Sequence, residues 1–203
     1  MKNIFRKLIL TGWLAALASG IAFVFWHHEW KYNLPTPVPA NYQPVPAGSV
    51  IDLSSLQGLE KGKPVFLHFF NPACPCSRFN MPHFTSLQKK YGDRFCFVMV
   101  VVNNPAHVTG QQIQEKYDIK IPVFFKADIA RSCGVYSTPQ AALIDAAGHL
   151  YYRGNYNKSR YCLDEKSNYV RMAIDSFLHH TATPLLGMAA YTSYGCQVIT
   201  CKK

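Results

Sequence analysis

The fold is decided by one stretch of the chain, Phe66-Leu67-His68-Phe69-Phe70-Asn71-Pro72-Ala73-Cys74-Pro75-Cys76-Ser77. Residues 64–70 are mostly apolar and rich in aromatic and β-branched side chains, which is typical of a strand covered on both faces. From Pro75 onward the apolar residues recur at intervals of three and four, which predicts a helix over residues 75–91. The stretch therefore predicts a buried strand, a turn that contains proline and cysteine, and a helix that begins at this turn.

Cys74 lies at the N-terminal edge of the predicted helix, with Pro75 in the first turn, where a missing N–H costs nothing. The N–H groups and the positive end of the helix dipole favour a thiolate, so a cysteine there tends to have a lowered pKa. The position is typical of a reactive cysteine. We expect its thiol to be ionised and accessible.

The composition indicates a folded domain with appendages. The chain has 203 residues, of which 49% are hydrophobic and 14% aromatic, enough to build a core. Its formal net charge of +10 is spread along the chain. Because nucleic-acid binding needs a concentrated basic face, we expect no nucleic-acid partner.

The N-terminus carries a localisation signal. Lys2, Arg6 and Lys7 precede an uncharged stretch, residues 8–26, which would span roughly 28 Å as a helix, close to the thickness of a bilayer core. The basic residues place the N-terminus in the cytoplasm, so we expect a single-pass anchor in the bacterial inner membrane and a periplasmic domain. The alternative is a signal peptide cleaved after residues 16–18, which would leave an apolar N-terminus exposed.

The sequence divides into four predicted parts: a cytoplasmic stub and transmembrane anchor (1–30), a proline-rich linker (31–49), an α/β domain (50–180) and a cysteine-containing tail (181–203). The five prolines of the linker predict either an extended spacer of about 40 Å or more, or a segment that wraps onto the domain.

Further elements follow from periodicity and capping signals. Thr109 and Gln112 have the spacing of a capping box, and Asp128 is expected to cap a short helix. The remaining predictions are short strands or extended segments at 50–53 and 119–125, a strand at 95–102, a hairpin of 140–145 with 149–153, and a last helix through 170–178. Alternating strands and helices predict an α/β fold with a mixed sheet flanked by helices.

This pattern resembles the thioredoxin superfamily, in particular its TlpA-like and AhpC/TSA-like branches. The resemblance covers about residues 50–180 and rests on residues 65–82, 121–134 and 136–145. The motif Cys-Pro-Cys-Ser at 74–77, with Cys162 and the tail residues 192–196, also looks like an uncharacterised bacterial redoxin-like family. The resemblance implies a thioredoxin-like fold and thiol–disulfide exchange, with a protein thiol or disulfide as substrate, a redox partner protein and no cofactor.

The resemblance assigns roles to the motif, with one departure. Cys74 falls at the nucleophile position, and Ser77 falls where the family carries its resolving cysteine. The motif is thus Cys-x-Cys-Ser, so either Cys76 resolves or Cys74 works with a thiol elsewhere. His68 falls where thioredoxins carry a buried carboxylate, which makes it a candidate general base; the alternative is a hydrogen-bonded core histidine.

A second part of the site is implied by the sequence Ser-Thr-Pro at residues 137–139. By resemblance the bond before Pro139 is cis, and the Thr138 backbone lies beside the sulfurs, where it pairs with an extended substrate peptide. The alternative is an ordinary turn proline.

Five other cysteines have expected roles. Cys133, six residues before Pro139, is either a resolving thiol or a packed one, and Cys96 is expected in the core. A structural disulfide from Cys162 to Cys196 or Cys201 would tie the tail to the domain, whereas Cys196 with Cys201 as a second redox pair is the alternative.

Two other functions compete with disulfide exchange. Cys74 and Cys76 could hold a soft metal such as Cu(I), although two thiolates make a sparse set and we expect no metal. The chain could also be a non-catalytic scaffold. A peroxidase is not expected, because the Pro-x-x-x-Thr/Ser-x-x-Cys pattern fits neither cysteine: it would place Leu67 and Asn71, or Phe69 and Ala73, at the Pro and Thr positions.

Overall fold

The structure, a computed structural model, describes residues 2–30, 33–158, 164–182 and 184–198, and it contains two compact units, Met1–Leu34 and Pro35–Lys203. The first unit is helix α1 (Lys2–Phe25), continued by a π-helical turn (Trp26–Trp30). By length and composition the helical stretch Lys2–Trp30 can cross a membrane, as the sequence predicts.

The second unit alternates strands and helices. Its elements are β1 (Val65–Phe70), α2 (Pro75–Tyr91), β2 (Cys96–Val101), α3 (Gly110–Tyr117), β3 (Val123–Phe124), α4 (Ala127–Ser132), β4 (Ser137–Thr138), β5 (Gln140–Ile144), β6 (Leu150–Gly154), a 3₁₀ turn (Glu165–Ser167), α5 (Tyr169–Leu178), α6 (Met188–Tyr191) and β7 (Cys196–Gln197). The predicted strand–turn–helix at residues 64–91 is therefore confirmed.

Within the described residues, five strands form a mixed sheet in the order β3-β2-β1-β5-β6. Strand β1 is central: it pairs in parallel with β2, from Val65 opposite Cys96 to Phe70 opposite Val101. On its other side it pairs antiparallel with β5. The hairpin of β5 and β6 completes this edge. The expected thioredoxin-like α/β fold is confirmed. The turn that carries Cys74 follows the C-terminal end of β1, the middle strand of the sheet.

Helices cover both faces of this sheet, which explains why β1 is apolar throughout. Phe66 and Phe70 pack in one core cluster with Phe84 of α2. Leu67 and Phe69, which alternate with them, pack in the other cluster with residues of α4. Each fully buried Phe or Leu side chain contributes about 1.5–3 kcal/mol, so the strand that leads to Cys74 is firmly held.

The proline-rich segment is part of the domain. Thr36 N–H donates to Ser193 O at 2.7 Å, Tyr42 OH donates to Gly134 O at 3.1 Å, and Gly48 N–H donates to Leu150 O at 2.7 Å. The segment thus wraps onto the domain, the second of the two alternatives. Ser49 O also accepts from Leu150 N–H at 2.8 Å, so the segment contacts the domain near both of its ends and at Tyr42.

Of the predicted helix caps and the predicted short strand, the structure confirms some and corrects others. The capping box of Thr109 and Gln112 is confirmed at the start of α3. Asp128 does not cap α4; Lys126 occupies the N-cap position and Asp128 lies in the first turn. The strand expected at 50–53 is reduced to a single bridge between Val50 and His149, beside which Ile51 N–H donates to Gly148 O at 2.9 Å.

Candidate redox-active site

Cys74 is held at the start of α2 by a turn built on Asn71. Cys74 is the N-cap residue and Pro75 follows at the first helical position. Asn71 O accepts from Cys74 N–H at 2.9 Å, and Asn71 Oδ1 accepts from Ala73 N–H at 3.0 Å. The buried hydroxyl of Ser77 accepts from Asn71 N–H at 3.3 Å. Ser77, predicted as a site residue, therefore supports the turn that carries the cysteine.

The loop at Pro139 lies against this turn. The Thr138–Pro139 peptide bond is cis, as the resemblance implies. The carbonyl oxygen of Thr138 lies 3.7 Å from Cys74 Sγ. The structure thus brings together the two parts of the site that the sequence predicted separately.

Cys74 forms a disulfide with Cys196, 122 residues later, with the Cα atoms 5.9 Å apart. This pairing corrects the expected structural bridge from Cys162 to Cys196; Cys162 and Cys201 lie outside the described residues. The expectation that Cys74 is accessible is also wrong for this oxidised form, because Cys74 has 0% of its surface exposed. Cys196 is only partly buried, so it is the residue of the pair with surface exposed to solvent.

Cys196 reaches Cys74 because the tail runs as a strand along the cis-proline loop. We call residues 192–198 the tail segment. Its strand β7 pairs antiparallel with β4, with Cys196 opposite Thr138 and Gln197 opposite Ser137. Val198 extends the pairing, since its N–H donates to Tyr136 O at 2.9 Å, and its side chain is buried.

Buried amides fix the other end of the tail segment. Gln140 Nε2 donates to Ser193 Oγ at 3.0 Å and to Asn155 Oδ1 at 3.2 Å. Asn155 Nδ2 in turn donates to the carbonyl oxygens of Ala189 (2.8 Å) and Thr192 (2.6 Å). These side chains are almost fully buried, so the tail segment is docked by buried hydrogen bonds in addition to the disulfide.

Gly195 allows the tail segment to come this close. It has φ +103°, and a Cβ at this position would overlap the carbonyl oxygen of Thr138. The same hypothetical Cβ would lie 3.7 Å from Cys76 Cβ. The tail segment therefore passes over Cys76 as it reaches Cys74.

His68 is buried and bonded away from the sulfurs. Its Nδ1 lies 2.7 Å from Tyr156 OH, and its ring stacks on Phe84 with 4.3 Å between ring centroids. Phe84 comes ten residues after Cys74, roughly 15 Å along α2. Burial lowers the pKa of His68 from 6.5 to about 3, so the ring is neutral near pH 7. A general-base role for His68 stays a prediction, and the contacts observed are those of a core histidine.

Three further cysteines lie within the described residues, and all three are buried thiols. Cys76 lies in the first turn of α2 with 1% of its surface exposed. Cys133 follows α4 within the core, where burial raises its pKa to about 12 against the weaker opposing effect of Arg153. A protonated, enclosed thiol is a poor nucleophile, which argues against Cys133 as a resolving cysteine. Cys96 starts β2, at the end of the sheet far from Cys74.

The metal-site alternative finds little support in this form. Among the described residues, there is no cluster of three or more His, Cys, Asp or Glu side chains that could hold a metal ion. The disulfide also removes the Cys74 thiolate from the Cys74–Cys76 pair that Cu(I) binding would need.

Sequence reasoning missed three contributors to the site: Cys196 as the partner of Cys74, and Gln140 and Asn155 as the buried amides that dock the tail segment. One signal was available for Cys196. Residues 193–198 form a short stretch with a glycine directly before the cysteine, the kind of extended segment that could pair beside the predicted cis-proline loop.

The fold is a mixed sheet flanked by helices, and its site is a cysteine at a helix N-terminus beside a cis-proline loop. Together they define a thioredoxin-like redoxin. Within this class, the chain belongs to the family described as a domain of unknown function, DUF6436, whose profile matches residues 49–198.

The chain is similar to a relative with a named activity, and its fold is similar to that of two proteins of known structure. The thiol-disulfide oxidoreductase ResA of Bacillus thuringiensis is 26% identical over 150 residues, which cover 72% of this chain and 84% of ResA. An uncharacterised conserved protein from Geobacillus kaustophilus has a similar fold, with TM-score 0.62, 17% identity, and coverage of 84% of this chain and 100% of that one. A hypothetical protein from Sinorhizobium meliloti has TM-score 0.60 and 18% identity, over 77% of this chain and 96% of that one.

Proposed function

We propose that this chain is a membrane-anchored thiol–disulfide oxidoreductase in which Cys74 is the sulfur that exchanges disulfides with protein substrates. One observation carries the proposal: Cys74 caps a helix N-terminus beside the cis-proline loop and is already engaged in a disulfide. The likeness to ResA, named as a thiol-disulfide oxidoreductase, supports the same chemistry.

The chemistry is two successive thiolate attacks. A substrate thiolate attacks the disulfide of Cys74, which gives a mixed disulfide and releases one cysteine of the protein as a thiolate. The second substrate thiol then displaces the protein's sulfur and closes the substrate disulfide. Two electrons and two protons pass from the substrate dithiol to the two cysteines, and the reverse sequence reduces a substrate disulfide. The start of α2 favours the Cys74 thiolate as the leaving group.

The Thr138 backbone is the proposed docking edge for the substrate. The proposed function requires only that Cys74 exchanges with the substrate, and it holds whether Cys76 or a thiol elsewhere resolves the mixed disulfide. The partners of the reaction would be a protein thiol or disulfide and a redox partner protein. No step of this exchange needs a cofactor.

For the location we propose the inner membrane of a bacterium, with Pro35–Lys203 in the periplasm, because Lys2, Arg6 and Lys7 favour the cytoplasmic side. Protease added to intact spheroplasts should then digest this unit. If digestion requires lysis of the spheroplasts, the orientation is wrong.

The activity is tested by mixing the oxidised full-length protein, in detergent, with a reduced peptide that contains two cysteines. The peptide should become oxidised in a single turnover, and Cys74→Ser should abolish this reaction. Cys96→Ala is the matched control, since Cys96 starts β2 and lies roughly 17 Å from the Cys74 end of the sheet. Oxidation that persists in Cys74→Ser would overturn the proposal.

A further inference from the structure

Resting on this function, we propose that Cys196 is the resolving cysteine and that the tail segment is a tethered peptide, which occupies the Thr138 edge and must leave before a substrate can dock there. The disulfide alone would allow a static structural role. The tail segment, however, pairs with β4 as a bound peptide would and covers the edge that a substrate needs.

The pairing is that of a bound peptide. Cys196 lies directly opposite Thr138 in the two-stranded sheet of β4 and β7, while its sulfur is bonded to Cys74. The arrangement is therefore a mixed disulfide between Cys74 and an extended peptide, in which the peptide belongs to the same chain. Backbone pairing at a strand edge is a general mode of peptide binding.

The pairing is exclusive, because one strand edge cannot pair with two strands at once. While Cys196 lies opposite Thr138, a substrate peptide has no backbone groups to pair with at this position. Cys74 has no exposed surface in this form. A substrate that docks along β4 must therefore wait until the Cys74–Cys196 bond is broken and β7 has left.

Resolution by Cys196 is favoured by proximity. Ser193, docked on Gln140 three residues before Cys196, keeps the segment beside the site when β7 leaves β4. The reduced tail segment can then return its thiol to Cys74 at a high effective concentration. The Cys196 thiolate attacks Cys74 Sγ of the mixed disulfide, forms the Cys74–Cys196 bond and expels the substrate sulfur as a thiolate, which takes up a proton.

Gly195 provides a variant that retains both sulfurs. A Cβ there would overlap Thr138 O, and the backbone has positive φ, so Gly195→Ala should displace β7 from β4. Gly187→Ala is the matched control in the same part of the chain, because Gly187 has φ −62° and a Cβ there meets nothing within 4 Å.

The probe is a synthetic peptide of residues 193–198, Ser-Tyr-Gly-Cys-Gln-Val, whose cysteine carries thionitrobenzoate as a coloured leaving group. A second peptide contains Gly195→Ala. Each is mixed with the reduced full-length protein, and the release of thionitrobenzoate and of peptide thiol is followed, with mass spectrometry to locate the mixed disulfide.

In Cys196→Ser, Cys74 should capture the peptide and keep it. The peptide that contains alanine should react about tenfold more slowly, the equivalent of losing about 1.4 kcal/mol of pairing.

In Cys76→Ser, the peptide should be captured and then released as the Cys74–Cys196 bond forms. In the protein that keeps all of its cysteines, Gly195→Ala should slow the release of the peptide by a similar factor, and Gly187→Ala should not. Because Gly195→Ala retains both sulfurs, this comparison does not depend on the cysteine variants folding.

Two results would overturn the inference while leaving the proposed function intact: release of the peptide by Cys196→Ser but not by Cys76→Ser, or equal rates for the two peptides. If Cys74 captures no peptide in any variant, the proposed function itself is wrong.

Discussion

Cys74 Sγ lies 3.7 Å from the carbonyl oxygen of Thr138, although 64 residues separate them in the chain. The sulfur comes from the turn after the central strand, and the oxygen comes from the residue before the cis proline. The tail segment adds a third element to this junction, because Cys196 is bonded to the sulfur and lies opposite Thr138. This junction of turn, loop and tail underlies the predictions that follow.

Asn155 should be important for stability because its amide makes three buried hydrogen bonds that dock the tail. Asn155→Ala removes all three, and at about 1 kcal/mol each we expect the free energy of unfolding to fall by about 3 kcal/mol. Urea denaturation of the oxidised protein measures this change. Asn41→Ala is the control: Asn41 is exposed, and we expect a change within about 0.5 kcal/mol. Equal losses in the two variants would contradict this account of the tail.

His68 should make the protein less stable in acid. Burial lowers its pKa to about 3 from 6.5, so between these values the unfolded chain binds a proton that the folded chain does not. The free energy of unfolding should therefore fall, as the pH decreases through this range, by about 1.4 kcal/mol per pH unit from this group alone.

His68→Gln, which can still hydrogen-bond to Tyr156, should reduce that slope by about one proton when denaturation is measured at several pH values. His83, whose pKa burial also lowers, contributes in the same direction and is unchanged in this comparison. His107→Gln is the control, because this ring is exposed to water. A slope that His68→Gln leaves unchanged would show that His68 is protonated in the folded protein.

Cys133 should resist alkylation in the folded protein. Burial raises its pKa to about 12 and leaves none of its surface exposed, so almost no thiolate exists at about pH 8 and a reagent cannot reach it. After mild reduction, iodoacetamide should label Cys74 and Cys196, whereas Cys133 should be labelled only in denaturant; peptide mass spectrometry measures each site. Labelling of Cys133 at the rate of Cys74 in the folded protein would restore it as a candidate resolving thiol.

Local patterns predicted the elements of this fold well, because each element depends on residues that are close together in the sequence. The apolar run before Cys74, the helical spacing after Pro75 and the capping box of Thr109 each concern neighbours in the chain. The cis Thr138–Pro139 bond was implied only by resemblance to a family.

The partner of Cys74 could not be predicted in this way. Seven cysteines allow many pairings. The choice of Cys196 depends on the pairing of β4 with β7, which are too far apart in the chain for a local sequence pattern to indicate it. The docking amides were missed for the same reason. Gln140 lies in an apolar strand and Asn155 directly follows a strand, and their partners at residues 189–193 are 34 to 53 residues away.

The most direct test of the central claim is a redox titration of the Cys74–Cys196 bond in the full-length protein. The protein is equilibrated with glutathione buffers of increasing reducing power, the thiols are blocked with an alkylating reagent, and peptide mass spectrometry quantifies each cysteine. The account predicts that Cys74 and Cys196 become reduced together in one two-electron transition while the domain stays folded, and that substrate exchange follows the same curve. A Cys74–Cys196 bond that opens only when the protein unfolds, or a Cys74 bonded to Cys76 instead, would contradict it.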